Sequence, residues 1–139
     1  MRSINRRKFF SNTSKVLASA GLLSLASCAS AQPTAMRNIF IHHVFFWLKD
    51  PNNLEHKAQL LAALHKLATV ETIQQTHIGI PAATNRPVID TTYAFSMMSI
   101  FKNKADQDTY QTHPTHLEFV EKNQHLWDKV VVYDTIDAN

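Results

Sequence analysis

The sequence predicts an α+β fold of order β-α-β-β-α-β, a ferredoxin-like arrangement with the helices on one face of a four-stranded sheet. Two aromatic and β-branched stretches, 39–48 and 92–101, predict its strongest strands. Between them, apolar residues recur at helical spacing after residues 50–53. A second helical region and a short β-branched run follow the second stretch. This order favours a single helix layer packed on one sheet.

The first strand, Ile39 to Leu48, carries apolar side chains on both faces. The side chains of one face are Phe40, His42, Val44, Phe46 and Leu48. Those of the other face are Ile41, His43, Phe45 and Trp47. Because one helix layer covers only one face, the other needs a second cover. We therefore expect a homodimer, in which these second faces pack together as a dimeric α+β barrel.

The elements up to the third strand follow in order. Asp50 to Asn53 supply helix caps and a helix-compatible proline, so the first helix is expected to end near Ala68 or Thr69. Ile73 to Ile80 is a weaker strand, and residues 81–87 form a loop. Alternation along Thr92 to Phe101 predicts one shared face for Tyr93, Phe95, Met97, Ser99 and Phe101.

The C-terminal part supplies two short helices and the last strand. The helices are expected at Lys104 to Tyr110 and at His116 to Leu126, on either side of a turn at Pro114. The strand is expected at Lys129 to Asp134, where β-branched residues are concentrated. This strand completes the four-stranded sheet.

Residues 1–31 are typical of an export signal and its cleavage region. The segment 5–10 places paired arginines before two phenylalanines, as in a twin-arginine signal, and an apolar run over 16–26 follows. That run is too short for a membrane-spanning helix, which needs about 20 apolar residues. The sequence therefore predicts an exported protein, with residues 32–38 as a tether and 39–139 as one domain.

Two processing routes fit the end of this signal. Leu25-Ala26-Ser27-Cys28 resembles a lipobox, which predicts lipidation of Cys28 and a membrane-anchored lipoprotein. The small residues Ala29-Ser30-Ala31 instead predict cleavage without a lipid and a periplasmic product. Cys28 is the single cysteine, so neither route leaves a disulfide in the domain.

The positive charge of the whole chain belongs to the signal. Five of the 14 lysines and arginines precede Cys28, and the nine that remain face 11 acidic residues, a formal net charge of about −2. A protein that binds nucleic acid needs a basic face on its folded domain. We therefore expect no nucleic-acid partner.

Three segments resemble the stress-responsive A/B barrel (Dabb) family, a branch of the dimeric α+β barrels. They are His-His-Val-Phe-Phe-Trp-Leu-Lys at 42–49, Arg-Pro-Val-Ile-Asp-Thr-Thr-Tyr at 86–93, and Tyr110-x-x-His113-Pro114-x-His116 with Phe119-Val120. Trp127 and the run 130–134 complete the pattern. The resemblance covers residues 39–134, and it implies a homodimer with a pocket between the sheet and the helices of each subunit.

The resemblance also implies which residues line that pocket. A plant polyketide cyclase of the family uses a tyrosine and a histidine of the third segment, with no metal or organic cofactor. By position they are Tyr110 and His116, and the first-strand pocket histidine is His42. Phe95 occupies a position where the cyclase has another pocket histidine, and we expect it and Tyr93 to contact a ligand. No cofactor and no metal are expected, since no cysteine or nearby carboxylate completes a ligand set with the histidines.

Three functions remain open at this stage. The first is a stress-associated module that binds a small hydrophobic or aromatic molecule in the pocket. The second is a cofactor-independent cyclase or lyase, with His116 as general base and Tyr110 as its hydrogen-bonding partner, since imidazole exchanges protons near neutral pH. The third is a purely structural dimeric module, in which these two side chains hold the turn around Pro114. An enclosed cavity that reaches both side chains favours chemistry, whereas a collapsed or phenylalanine-filled pocket favours the binding module, and the structural module needs no cavity.

Overall fold

The computed structural model describes residues 35–138, and the predicted export signal and Cys28 lie outside them. Its strands are β1 (Phe40–Leu48), β2 (Gln75–Gly79), β3 (Phe95–Phe101) and β4 (Trp127–Ile136). Its helices are α1 (Leu54–Leu67), α2 (Lys104–Thr112) and α3 (Pro114–Asn123), followed by a 3₁₀ turn over Gln124–Leu126. The strands form one antiparallel sheet in the order β2-β3-β1-β4. The predicted ferredoxin-like α+β fold is confirmed.

Each helix begins at a side chain that accepts backbone N–H groups. Asn53 accepts from the N–H groups of Glu55 and His56 at the start of α1, and Asn103 accepts from that of Asp106 at the start of α2. None of the helices within residues 35–138 is long and apolar enough to cross a bilayer.

The helices cover one face of the sheet, as predicted. Every second residue of β1, from Phe40 to Leu48, is buried, and the residues between them are only partly buried. The buried side chains of β1 and β3 form the core with Leu60, Leu64 and Leu67 of α1 and Phe119 of α3. Burial of such side chains supplies most of the stability of a small domain.

The predicted face of Tyr93 is wrong, because the third strand begins later than expected. The N–H and hydroxyl groups of Thr92 both donate to the Asp90 carboxylate, which folds this segment into a turn. Regular pairing of β3 starts only at Phe95. Since alternation holds only within an extended strand, Tyr93 lies on the opposite face and its ring contacts those of Phe45 and Trp47.

Other element boundaries differ from the prediction by a few residues. The first helix ends at Leu67 with Ala68 as its cap, close to the expected position. The last strand runs from Trp127 to Ile136, longer than expected at both ends. The third helix starts at Pro114, two residues earlier than expected, because proline suits the first turn of a helix.

The second face of the sheet carries a cluster of aromatic rings. The Phe45 ring centroid lies 5.0 Å from that of Tyr93 and 6.0 Å from that of Tyr133 on β4. Tyr133 is exposed, and Phe45 and Trp47 are only partly buried. This face therefore presents apolar surface to the outside of the described chain.

Candidate active site between the sheet and the helices

A cavity of about 150 Å³ lies between the covered face of the sheet and the helices. An engineered apolar cavity of similar size in another protein binds benzene, so this volume suits a single aromatic ring. Polar groups gather in one part of the lining, from His42, Ser99, Tyr110, Gln111 and His116. The rest of the lining is apolar and includes Phe46, Leu67, Met97, Phe119, Trp127 and three valines, Val120, Val130 and Val132.

Three of these polar side chains form a row of rings. The ring centroid of Tyr110 lies 4.7 Å from that of His116 and 5.9 Å from that of His42. Tyr110 comes from α2, His116 from α3 and His42 from β1. The structure therefore brings together three residues that the sequence predicted for the site.

Burial fixes the protonation state of Tyr110. The side chain is 2% exposed, and it packs against the ring of Phe101 at a centroid distance of 5.2 Å. Desolvation disfavours the charged phenolate, so burial raises the pKa of Tyr110 well above its usual range. At neutral pH Tyr110 is therefore a phenol, whose hydroxyl is able to donate a hydrogen bond.

Burial has the opposite consequence for His116. Desolvation lowers the pKa of this imidazole, and the nearby His42 adds to the effect, whereas the backbone carbonyl of Gln111 acts against it. His116 is therefore neutral at neutral pH. Its buried Nδ1 has no hydrogen-bond partner among residues 35–138. A neutral imidazole with an unused nitrogen beside a phenol is suited to accept a proton from a bound molecule.

Asp134 holds the third ring of the row. The Nδ1 atom of His42 lies 2.6 Å from the Asp134 carboxylate, and the two residues are 92 positions apart in the chain. They are paired residues of β1 and β4, so the sheet register brings them together. A carboxylate only accepts hydrogen bonds, so His42 donates from Nδ1. In the neutral ring, Nε2 is then an acceptor.

The apolar part of the cavity is built around Trp127. Its ring stacks on Phe119 at a centroid distance of 5.6 Å and meets Phe46 edge-on at 5.3 Å. Val120, Val130 and Val132 are the exposed members of the lining, with Val132 at 45%. These valines form the rim through which a ligand would enter.

Two of the predicted ligand-binding residues lie elsewhere. Phe95 is buried in the core but does not line the cavity, and Tyr93 lies on the second face of the sheet. Both residues border a separate groove beside Trp47 and the loop that precedes β3. The expectation that they share a pocket with His42 is therefore wrong, because Tyr93 precedes the regular strand and Phe95 lies outside the cavity lining.

His113 caps a helix and does not line the cavity. Its Nδ1 accepts the N–H of Thr115 at 3.1 Å and so caps α3. Its Nε2 lies 3.4 Å from the Glu71 carboxylate. No group of three His, Cys, Asp or Glu side chains in the described chain is placed to hold a metal ion.

Sequence reasoning did not assign Ser99, Asp134 or Trp127 to the site. The signal for Ser99 is a hydroxyl at a position where alternation along the strand requires an apolar side chain. Asp134 gave no such signal, because the sequence does not specify which residue of β1 it faces. Trp127 belongs to the family pattern, but its place in the cavity depends on the packing of α3.

Comparison with known families and structures agrees with the fold of this chain. The family model described as Stress responsive A/B Barrel Domain matches residues 40–137. Comparison with curated protein sequences gives no match. A Dabb family protein with a ferredoxin-like fold from Mesorhizobium loti is 22% identical, with a TM-score of 0.62, over 73% of this chain and 98% of that chain.

Two further structures resemble this chain. A dimeric protein of unknown function with a ferredoxin-like fold from Bacteroides fragilis is 20% identical, with a TM-score of 0.57, over 74% of this chain and all of that chain (100%). The hydroxynitrile lyase of Passiflora edulis is 22% identical, with a TM-score of 0.61, over 74% of this chain and 96% of that chain. At these identities the likeness is one of fold.

Proposed function

Since the chain belongs to the stress-responsive A/B barrel domain family, we propose that it binds a small, largely apolar molecule with an oxygen-bearing end in the cavity between sheet and helices. One observation carries this proposal. A cavity of about 150 Å³ reaches both Tyr110 and His116 at its polar part and the stacked rings of Phe119 and Trp127 at its apolar part. A mostly apolar pocket with a few convergent polar groups is the usual form of a small-molecule site.

A titration with phenol tests this proposal. Phenol is a single ring with one oxygen, and its binding is followed by the amide chemical shifts of residues around the cavity. We expect shifts confined to those residues, and we expect Val132→Phe at the cavity rim to weaken binding at least tenfold.

Val88→Phe is the matched control, because it makes the same substitution at a loop residue that is 88% exposed and outside the cavity lining. It should bind phenol as the wild type does. Equal binding by the two variants, or shifts spread over the whole surface, would contradict a site in this cavity.

A second candidate function is a cofactor-independent cyclase or lyase reaction. The observation that favours it is the pairing of a protonated phenol with a neutral imidazole, ring centroids 4.7 Å apart, on one cavity. His116 would take a proton from a carbon next to a carbonyl, and Tyr110 would donate to the oxygen on which charge develops. The hydroxynitrile lyase with the same fold shows that this fold accommodates an enzyme.

Exchange of α-protons tests this reaction without knowledge of the substrate. Acetophenone in D₂O exchanges its methyl protons once a base removes them, and NMR measures the rate. We expect the wild type to accelerate exchange and His116→Gln to reduce that acceleration about 10² to 10⁴-fold. An unchanged rate in His116→Gln would exclude His116 as the base and leave ligand binding as the function.

The assembly and location of the protein complete the proposal. We propose a homodimer, supported by the aromatic second face of the sheet and by neighbours described as dimeric.

We also propose an exported protein with a lipid on Cys28, supported by the lipobox-like segment before that cysteine. Mass spectrometry of the protein from its native membrane tests the lipid. The Cys28→Ser variant should lack the added acyl mass.

A further inference from the structure

The floor of the cavity carries a polar pair to which the proposed function assigns no role. The side chains of β1 and β3 that face the helices are apolar, except for His42 and Ser99. These two residues are direct partners in the register of the two strands. Directly opposed residues on one face of an antiparallel pair have Cβ atoms about 4.5 to 5.5 Å apart, close enough to contact one small group.

Ser99 has a buried hydroxyl with no partner. The residue is 1% exposed, and its Oγ makes no hydrogen bond within residues 35–138. Buried polar groups are almost always hydrogen-bonded, and an unpaired one is costly. Because Ser99 also lines the cavity, a molecule bound there is placed to supply the missing partner.

His42 offers a complementary group beside this hydroxyl. Its Nδ1 is engaged by Asp134 at 2.6 Å, which leaves Nε2 for a ligand, and in the neutral form of the ring Nε2 is an acceptor. A serine hydroxyl both donates and accepts. Together Nε2 and Oγ suit a hydroxyl group of a ligand, which would donate to His42 and accept from Ser99.

The row of rings places His42 and Ser99 next to Tyr110 and His116. Tyr110 lies between His42 and His116, with ring centroids 5.9 Å and 4.7 Å away. Both pairs line the same cavity, so one ligand with two oxygens can reach both of them. No lysine or arginine of residues 35–138 lines the cavity, so its lining carries no permanent positive charge.

We propose that Ser99 and His42 bind a second oxygen of the ligand, which makes the cavity selective for neutral, single-ring compounds with two adjacent oxygens. Ser99 is the specificity-determining residue in this arrangement. The proposal rests on the proposed function, since it requires a ligand in the same cavity. It also specifies the class of ligand, because a ring with only one oxygen would leave the Ser99 hydroxyl without a hydrogen-bond partner.

Three related phenols test the proposal. Phenol has one oxygen, catechol has two on adjacent carbons, and hydroquinone has two at opposite ends of the ring. We expect the wild type to bind catechol about five- to tenfold more tightly than phenol, the usual effect of one hydrogen bond. Hydroquinone should bind no more tightly than phenol, because its second hydroxyl would lie against the apolar rings of Phe119 and Trp127.

Ser99→Ala should reduce the preference for catechol over phenol, because the second hydroxyl loses one of its two partners. Ser96→Ala is the matched control, since Ser96 is a buried serine on the same strand, pairs with Phe45 and lies on the opposite face of the sheet. That variant should keep the wild-type preference. Thermal unfolding of both variants establishes that each remains folded.

The outcomes separate this proposal from the one on which it rests. Phenol binding without a catechol preference would overturn the role of Ser99 and leave the cavity as the binding site. A catechol preference of undiminished size in Ser99→Ala would do the same, since a group other than Ser99 would then hold the second hydroxyl of catechol. Failure of the wild type to bind any of the three phenols would overturn both proposals.

Discussion

At the scale of the residue, one physical effect sets up the chemistry of the site. Burial disfavours a charge on either ring, so it raises the pKa of Tyr110 and lowers the pKa of His116. At neutral pH the phenol carries its proton, and burial favours the neutral form of the imidazole. Neither side chain needs a metal or an ion pair to reach the state that proton transfer requires.

Protonation of His116 should destabilise the fold. Its folded-state pKa lies below the ordinary value of 6.5, so the unfolded chain binds more protons between the two values. The contribution of His116 to stability is therefore complete above pH 6.5 and is lost as pH falls through the lowered pKa. Chemical unfolding at a series of pH values measures this loss.

The comparison variant for this prediction is His116→Gln. The stability of the wild type should fall more steeply than that of the variant from pH 7 towards pH 5. Curves with the same slope would show that His116 does not titrate in this range. A proton-transfer activity that depends on the neutral imidazole should disappear over the same interval, so its acid limb should lie below pH 6.5.

A second prediction at this scale concerns Asp134. Asp134→Asn replaces the charged acceptor of the His42 ring, whose Nδ1 lies 2.6 Å from the carboxylate. Because the carboxylate is partly exposed, we expect the unfolding free energy to fall by only about 1 kcal/mol. Binding of catechol should weaken as well, since the tautomer of His42 is no longer fixed.

Asp128→Asn is the control for this substitution, because Asp128 is an exposed carboxylate on the same strand. It should leave stability and binding close to those of the wild type. Equal effects of the two substitutions would indicate that the general charge of β4, and not the bond to His42, is responsible.

At the scale of the element, the helix junction between α2 and α3 positions the site. His113 ends one helix and caps the next, and Pro114 occupies the first turn of α3. This arrangement places Tyr110 and His116 on different helices, and yet their ring centroids are 4.7 Å apart. The six-residue spacing of the motif is therefore a consequence of the junction and not of a single helical face.

The cap of α1 gives a prediction about an element far from the site. The Asn53 side chain accepts from two backbone N–H groups, each at 3.0 Å. Asn53→Ala should reduce the unfolding free energy by about 1 kcal/mol, because these N–H groups lose their partner. Ligand binding should not change, since α1 contributes only Leu67 to the cavity lining.

The neighbouring asparagine supplies the control. Asn52→Ala makes the same substitution one residue earlier, where only the backbone N–H is bonded, to the Asp50 carboxylate. Chemical unfolding should show a smaller effect for Asn52→Ala than for Asn53→Ala. The reverse order would contradict the assignment of Asn53 as the cap.

At the scale of the whole molecule, the second face of the sheet is expected to determine assembly. Phe45 lies near the centre of its aromatic cluster, between Tyr93 and Tyr133. Phe45→Lys would place a charge in the proposed interface, so we expect a folded monomer. Sedimentation velocity distinguishes it from the dimer proposed for the wild type.

Val88→Lys provides the comparison, because it introduces the same charge on a loop residue that is already exposed. This variant should remain dimeric. If Phe45→Lys is folded and sediments as the wild type does, the sheet face is not the interface. If both variants dissociate, net charge and not position would account for the effect.

The sequence by itself determined the order of the elements and the covered face of β1. Hydrophobic periodicity and caps are local, so a few neighbouring residues encode them. The resemblance of three segments to the family, and not periodicity, predicted site roles for His42, Tyr110 and His116. Periodicity failed at Tyr93, where the turn made by Asp90 and Thr92 breaks the alternation.

Only the tertiary structure decided which side chains meet in the cavity and in what protonation state. Asp134 faces His42 across 92 residues of chain, and Ser99 faces it through the register of β1 and β3. Register between distant strands depends on the packing of the whole sheet, which no local pattern specifies. The shifted pKa values of Tyr110 and His116 likewise arise from burial, a property of the assembled fold and not of the segment that carries them.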